Sequence, residues 1–315
     1  MFAFALRIAI CGFLLAAPAA SALAAPTQLR AWVSGLGADA SNCGAVTTPC
    51  RTFQYAHDAI VAAGGSIFVK DSAGYGPITI SKSISILNGD GALAMIQPTA
   101  GAAITISAPT LVTVMLKGLT LDGAGVASNG IVIEGPGAGG QVEIVNCTIR
   151  NFGTAQDLNP AGVAVIPGVG DWRLGVEGST ISQNIYAGIY ILTTGTATVK
   201  GDISASTLSQ NGAVQIYILS ASPTISIDIR DSTLSGSAGI GALAQCPSCV
   251  LSLHRTLVTA LGTGVAVQGN GIILLDQTAV RETANDVLVQ MGTVYTQQNN
   301  SIGSVTGALT PAPLQ

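Results

Sequence analysis

Charged residues are the scarcest class in this sequence. Asp, Glu, Lys and Arg make up 9% of its 315 residues, against roughly 25% in an average soluble domain. The formal net charge of −4 excludes a strongly basic nucleic-acid-binding protein. Beyond the N-terminus there is no run of about 18 apolar residues that would span a membrane. Disorder is excluded as well, because 48% of the residues are hydrophobic. What is abundant is Gly, Ser, Thr, Val and Ile, a composition typical of a β-type protein.

The first 24 residues have the pattern of a secretory signal peptide. Arg7 gives a short basic region, residues 8–17 form an apolar core, and Ala22-Leu23-Ala24 offers small residues for cleavage. A transmembrane anchor is the weaker alternative, because the apolar run is short and ends at Pro18. The pattern predicts that residues 25–315 form one exported domain, secreted or periplasmic, with no stable membrane span after cleavage.

The cysteines support this prediction. Cys43 and Cys50 share a polar loop, and Cys246 and Cys249 form Cys-Pro-Ser-Cys. In an exported protein both pairs are expected to be local disulfides. A redox dithiol at Cys246 and Cys249 is disfavoured, because that spacing normally opens a helix in a βαβ unit. A zinc site built from both pairs is disfavoured by their separation along the repeat. Cys147 is expected to lie on a strand as a small buried core residue.

A repeat with a strand period occupies most of the chain. Each copy has an alternating apolar strand, a polar turn, Thr with an aliphatic residue, a second turn and a second strand. The anchor threonines are Thr120, Thr148, Thr180, Thr207, Thr233, Thr256 and Thr278. Their spacing runs from 22 residues (256 to 278) to 32 (148 to 180). This suits one coil of a parallel β-helix, in which each coil pairs with its neighbours about 4.8 Å away. Leucine-rich repeats share the period, but their leucine pattern is absent.

The ends of such a stack need caps, because they expose strand edges. Residues 52–63 predict an amphipathic capping helix that begins at Thr52 and stops at Gly64-Gly65. The tail, about residues 306–315, is expected to be irregular. Asn151, Asn184 and Asn211 fall at matching turns and predict a ladder of stacked amides.

Three N-terminal segments carry a resemblance to a known family. They are Arg30-Ala-Trp-Val-Ser, the segment Thr48-Pro-Cys-Arg-Thr-Phe-Gln-Tyr-Ala-His, and Gly74-Tyr-Gly-Pro-Ile-Thr-Ile. They resemble the start of secreted proteins of the pectin-lyase-like superfamily. The resemblance implies an all-β fold, a single-stranded right-handed parallel β-helix with a short N-terminal capping helix. The superfamily includes pectate lyases, pectinesterases and polygalacturonases, but the catalytic motifs of these enzymes are absent here. Calcium is implied only for the lyase alternative.

Catalytic candidates come from aligning outward positions of successive coils. Asp202 and Asp228 are expected to be neighbours on one outer face, with Glu177 and Arg230 in the next position and Ser204 between them. Two carboxylates so close can serve acid–base chemistry or hold a cation. A lightly charged solvated face, with Arg230 balancing Asp228, is the favoured interpretation.

Tyrosines give the ligand-binding candidates. Tyr190 and Tyr217 align on consecutive coils and are expected to point outward, with Tyr186 nearby. An exposed aromatic strip of this kind would bind sugar rings. The favoured alternative is a stacked pair that stabilises the sheet.

An aliphatic patch is expected on the later coils, where outward positions are assigned to Leu251, Leu253, Ile273 and Leu275. The patch predicts either a partner or self-association surface, or burial under the C-terminal tail, and the sequence does not separate the two.

These observations give two functional hypotheses. The first is a non-catalytic surface protein that binds a carbohydrate or a partner. The second is a lyase or glycoside hydrolase acting on an acidic polysaccharide near Asp202 and Asp228. The missing catalytic motifs favour the first.

Overall fold

A computed structural model of the protein describes residues 26–89, 91–135, 137–220, 225–236 and 239–312. The predicted signal peptide, residues 1–24, lies outside the described residues. No helix in the described residues is long and apolar enough to cross a membrane.

The described chain winds into a right-handed parallel β-helix with three sheets. Sheet 1 contains Gln28–Val33, Val61–Val69, Ile84–Leu87, Val112–Lys117, Gly139–Val145, Asp171–Glu177, Thr198–Ser204, Ile225–Arg230, Val250–His254, Ile272–Asp276, Thr293–Thr296 and Leu309–Pro311. Sheet 2 contains Ala73–Gly74, Ala94–Ile96, Leu119–Asp122, Thr148–Arg150, Thr180–Ser182, Thr207–Ser209, Thr233–Ser235, Leu257–Thr259, Ala279–Arg281 and Ser301–Ile302. Sheet 3 contains Ile78–Ile80, Ala102–Ser107, Asn129–Glu134, Ala161–Val165, Ala187–Thr193, Val214–Ser220, Ile240–Gln245, Thr263–Gln268, Asn285–Val289 and Val305–Thr306. The predicted fold class is confirmed.

Alternation of side chains fills the interior of the coil. In the strand Ile225–Arg230, Ile225, Ile227 and Ile229 point inward and are almost fully buried. Asp228 and Arg230 point outward, because successive strand residues face opposite sides of the sheet. Each coil therefore buries its aliphatic row only when a neighbouring coil stacks on it.

From Gly118 to Gln277, the corner between sheets 1 and 2 has one residue in the left-handed conformation in each coil. Ala205 has φ +49° and Asp231 has φ +50°, and the matching residues of neighbouring coils lie in the same region. The next residue turns inward. Ser206 Oγ there accepts a hydrogen bond from Ser179 N at 3.1 Å and donates to Ser204 O at 2.8 Å. A ladder of corner hydroxyls thus satisfies backbone groups that the turn would otherwise leave unpaired.

At two coils the predicted repeat register is wrong by one residue. Thr233 pairs with Leu257, and Leu257 with Ala279. The predicted anchors Thr256 and Thr278 instead lie at the buried corner position that serine occupies in earlier coils. A shift of one residue moves every side chain of a strand to its other face. The anchors Thr120, Thr148, Thr180, Thr207 and Thr233 do align.

The predicted aliphatic patch is consequently wrong. Leu251, Leu253, Ile273 and Leu275 point into the core and are at most 1% exposed. Their outward neighbours are Ser252 and Leu274. The basis for a partner or self-association surface at these four residues therefore disappears.

The N-terminal cap is shorter than predicted. An α-helical turn at Phe53–Tyr55 continues as a π-helical segment, Ala56–Ile60, and the chain then enters a strand. Thr52 caps it as expected, since its side chain accepts a hydrogen bond from Tyr55 N. His57 is buried, and this burial lowers its pKa, while Ser81 N donates to its Nε2 at 3.3 Å.

The C-terminal tail is not wholly irregular, because Leu309–Pro311 forms the last strand of sheet 1.

The predicted disulfides are both present, linking Cys43 to Cys50 and Cys246 to Cys249. Cys147 is a free, buried thiol at the corner lined by serine and threonine hydroxyls, rather than on a strand. Burial raises its pKa to about 11.

The predicted amide ladder forms between Asn184 and Asn211, whose side chains are joined by a hydrogen bond of 2.8 Å. The position matching these two is Phe152 and not Asn151, because Phe152 N donates to Asn184 Oδ1.

Candidate functional site

The outer face of sheet 1 gathers charged side chains from three consecutive strands. Asp202 lies in register with Asp228, as predicted. One position away on the same face, Arg173 lies in register with Lys200. Both cations are exposed, and neither forms an ion pair within the described part of the chain. Pairs of like charge therefore stand side by side on this face.

The row on the other side of the aspartates also forms as predicted. Ser204 lies between Glu177 and Arg230 on neighbouring strands. Arg230 does not balance Asp228, however, because its Nη2 forms an ion pair with Asp202 on the adjacent strand. The two side chains are 48% and 40% exposed, so the pair is solvated and adds little to stability. It does hold the guanidinium over the aspartate row.

A groove of about 290 Å³ runs between these rows. Its floor includes Gly175, the one position in the aspartate row without a side chain, and the Glu143 carboxylate occupies the space that a Cβ there would need. Gln141 donates to Glu143 at 2.9 Å and holds it in place. A row of cations and a row of carboxylates thus line one open groove, in which carboxylate and hydroxyl groups of a ligand would both find partners.

Toward the C-terminal end of sheet 1, the charged side chains of the outer face are paired with one another. His254 Nδ1 lies 3.2 Å from Asp276 Oδ2, and Asn299 donates to the other oxygen at 2.8 Å. The hydrogen bond from Asn299 and then that from His254 lower the pKa of Asp276. At the corner Arg255 and Asp231 form a two-bonded ion pair. These groups satisfy one another and offer fewer free partners to a ligand than the groove does.

The sequence patterns did not single out Arg173 and Lys200. The signal was present, because each lies seven residues before its anchor threonine, Thr180 and Thr207, just as Asp202 and Asp228 lie five before theirs. No group of three or more His, Cys, Asp or Glu side chains arranged to hold a metal ion occurs among the described residues.

The tyrosines lie on the outer face of sheet 3. Tyr190 and Tyr217 are in register, as predicted, and their ring centroids are 5.4 Å apart. Tyr186 packs across both rings, with centroids 6.4 Å and 6.3 Å away. The prediction of an exposed strip is wrong, since Tyr190 is 4% and Tyr217 8% exposed. That these rings bind sugar remains a prediction.

A second apolar layer explains this burial. The outward row of sheet 3 continues through Val132, Ala164, Leu243 and Ala266, and these side chains form one buried cluster with the rings. Tyr217 Oη also donates to Gln245 Oε1 at 2.5 Å. Burial, followed by the neighbouring tyrosines, raises the pKa of Tyr217 to about 12. The packing matches the stacked-pair alternative.

Among solved structures, the chain is similar to the pectate lyase Pel9A, with 12% identity, 89% of this chain and 79% of that chain covered, and a TM-score of 0.47. A rhamnogalacturonan lyase has 12% identity, 88% and 87% coverage, and a TM-score of 0.48. ORF18 of Geobacillus virus E2 has 12% identity, 75% and 52% coverage, and a TM-score of 0.43. The search of curated proteins found no match.

The family model described as "Right handed beta helix region" matches residues 129–303. That segment contains the charged groove, the tyrosines and the coils with the regular corner hydroxyls. It is more than half of the chain, and the chain therefore belongs to the right-handed β-helix family.

Proposed function

We propose that this protein is a non-catalytic binder of an acidic polysaccharide, which lies along the outer face of sheet 1. The observation that carries the proposal is the pair of like-charged neighbours, Arg173 with Lys200 and Asp202 with Asp228. Like charges directly opposite one another on adjacent strands destabilise a sheet. A chain with so few charges gains no folding advantage from placing four of them in this way.

The chemistry of the two rows suits a sugar acid. Arg173 and Lys200 are exposed donors without an ion pair in the described residues, and such cations form strong charge-assisted hydrogen bonds with carboxylates. Asp202, Asp228 and Ser204 line the same groove and accept hydrogen bonds from sugar hydroxyls. A polymer that follows the axis of the β-helix would repeat these contacts, because each coil advances about 4.8 Å.

The ion pair between Arg230 and Asp202 supports binding over catalysis. The guanidinium engages one oxygen of the Asp202 carboxylate and holds that side chain in place as an acceptor. Geometry of this kind favours an acceptor of ligand hydroxyls over a general base.

The test is the affinity of residues 25–315, the domain predicted to be exported, for polygalacturonate, a polymer of one uronic acid. We expect the double variant Arg173→Gln, Lys200→Gln to bind about tenfold to a hundredfold more weakly, because two charged hydrogen bonds are lost. The matched control is Arg30→Gln, Lys117→Gln, which removes the same charge from sheet 1 outside the groove.

Equal weakening in the control, or no binding by the native chain, contradicts the proposal. Release of shortened polymer by the native chain, lost in Asp202→Asn or Asp228→Asn, would establish the enzymatic alternative instead.

A further inference from the structure

A second groove lies at the corner between sheets 2 and 3, away from the charged face. Depressions of about 950 Å³ and 730 Å³ meet there and share Gln183 and Ile185 in their walls. Together they extend from Ala124 to Ala260, across the coils of six successive sheet 2 strands. The groove therefore runs along the axis of the β-helix and is long enough for several units of an extended polymer.

Its walls are uncharged. None of the described lining residues is Asp, Glu, Lys or Arg. Gln156, Gln183 and Gln210 are exposed, and no side-chain hydrogen bond within the described residues engages the amides of Gln183 and Gln210. An amide group offers both an acceptor and donors, which matches a hydroxyl that also accepts and donates.

Exposed aliphatic groups accompany these amides. Ile185 is 51% exposed at the junction of the two depressions, and Val126 is 53% exposed in one of them. A site that combines an apolar contact with a few well-placed polar groups is typical of ligand-binding grooves.

The backbone at the two glutamines belongs to a left-handed corner that recurs from coil to coil. Gln183 has φ +57° and Gln210 has φ +55°, in the left-handed region where a side chain costs about 1–2 kcal/mol and glycine costs nothing. The matching residue of the next coil is Gly236, so the turn does not require an amide. Asn151, Ala260 and Glu282 have the same conformation at this corner of other coils, so the turn accepts several residue types and its geometry leaves the choice of glutamine open.

We propose that this corner groove binds an uncharged, hydroxyl-rich polymer, a neutral polysaccharide, through the Gln183 and Gln210 amides and the Ile185 side chain. An extended peptide cannot add here as a further β-strand, because that mode of recognition needs a free sheet edge. The strands beside the groove already pair with a neighbour on both sides. The site is separate from the charged groove and does not depend on the function proposed for it.

The test compares the native full chain with the variant Gln183→Gly, Gln210→Gly on gels containing hydroxyethyl cellulose, dextran or galactan. Because glycine suits the backbone at both positions, the variant is expected to unfold at the same temperature or higher. The matched control is Gln277→Gly, which has φ +48° at the opposite corner and does not line the groove.

We expect the native chain and Gln277→Gly to be retained by at least one neutral polymer, and the double variant to bind it at least tenfold more weakly. Polygalacturonate binding should be unchanged in all three proteins, so a failure of either site is distinguishable from a failure of the other. The proposal is overturned if no neutral polymer retains the native chain, if the double variant is retained equally, or if Gln277→Gly loses as much.

Discussion

The outer faces of sheets 1 and 3 share one backbone geometry and differ completely in surface chemistry. On sheet 1 the outward rows contain Arg173, Lys200, Asp202 and Asp228, all in solvent contact. On sheet 3 the corresponding row is aliphatic and aromatic, and its rings, Tyr190 and Tyr217, are almost fully buried. Inward rows of both sheets are equally apolar. The stack therefore constrains only its inner face, and the outer rows are free to stabilise the fold or to contact other molecules.

The largest expected effect tests which face of sheet 1 is the inner one. Leu253→Ala should lower the free energy of unfolding by about 2–5 kcal/mol, because Leu253 is fully buried in the core. Leu274→Ala is the matched control on the adjacent strand. Leu274 points outward and is half-buried, so its loss should be about 1 kcal/mol or less. Urea titration of both variants measures the difference, and comparable losses would show that the register described for these coils is incorrect.

A smaller effect tests the outer face of sheet 3. Tyr217→Phe should lower the free energy of unfolding by about 1 kcal/mol, because the side-chain oxygen Oε1 of Gln245 loses its hydrogen-bond donor. Tyr186→Phe serves as the control, since no hydrogen bond of its hydroxyl occurs in the described residues. Thermal or urea unfolding decides between them. If Tyr217→Phe changes polysaccharide binding and leaves stability untouched, the hydroxyl contacts a ligand and does not serve the fold.

The sequence predicts the fold well because the inward rows repeat. Alternating Val, Ile and Leu with polar turns defines the coils, and the anchors up to Thr233 fall in their observed register. The error begins at Thr256. Serine and threonine both suit the buried corner, and Thr256 occupies it. The pattern therefore takes this threonine for the outward anchor, although the residue in register with Thr233 is Leu257. The aliphatic patch followed directly from that single-residue error.

The candidate site is harder to predict, because it depends on neighbours from other coils. The register of Asp202 with Asp228 follows from the repeat, whereas the pairing of Arg230 with Asp202 depends on side-chain direction. The orientation of Tyr190 and Tyr217 is likewise readable from alternation. Their burial is not, because it arises from Tyr186 and from aliphatic residues of several coils.

The most direct test of the central claim, that the charged outer face of sheet 1 is a binding surface, is the salt dependence of polygalacturonate binding. Raising the salt concentration from about 0.01 M to about 1 M shortens the Debye length from about 30 Å to about 3 Å. The account predicts that the native chain loses most of its affinity over this range. The Arg173→Gln, Lys200→Gln variant should start weaker and change less. Affinity that is independent of salt, or an identical salt dependence in the two proteins, would contradict it.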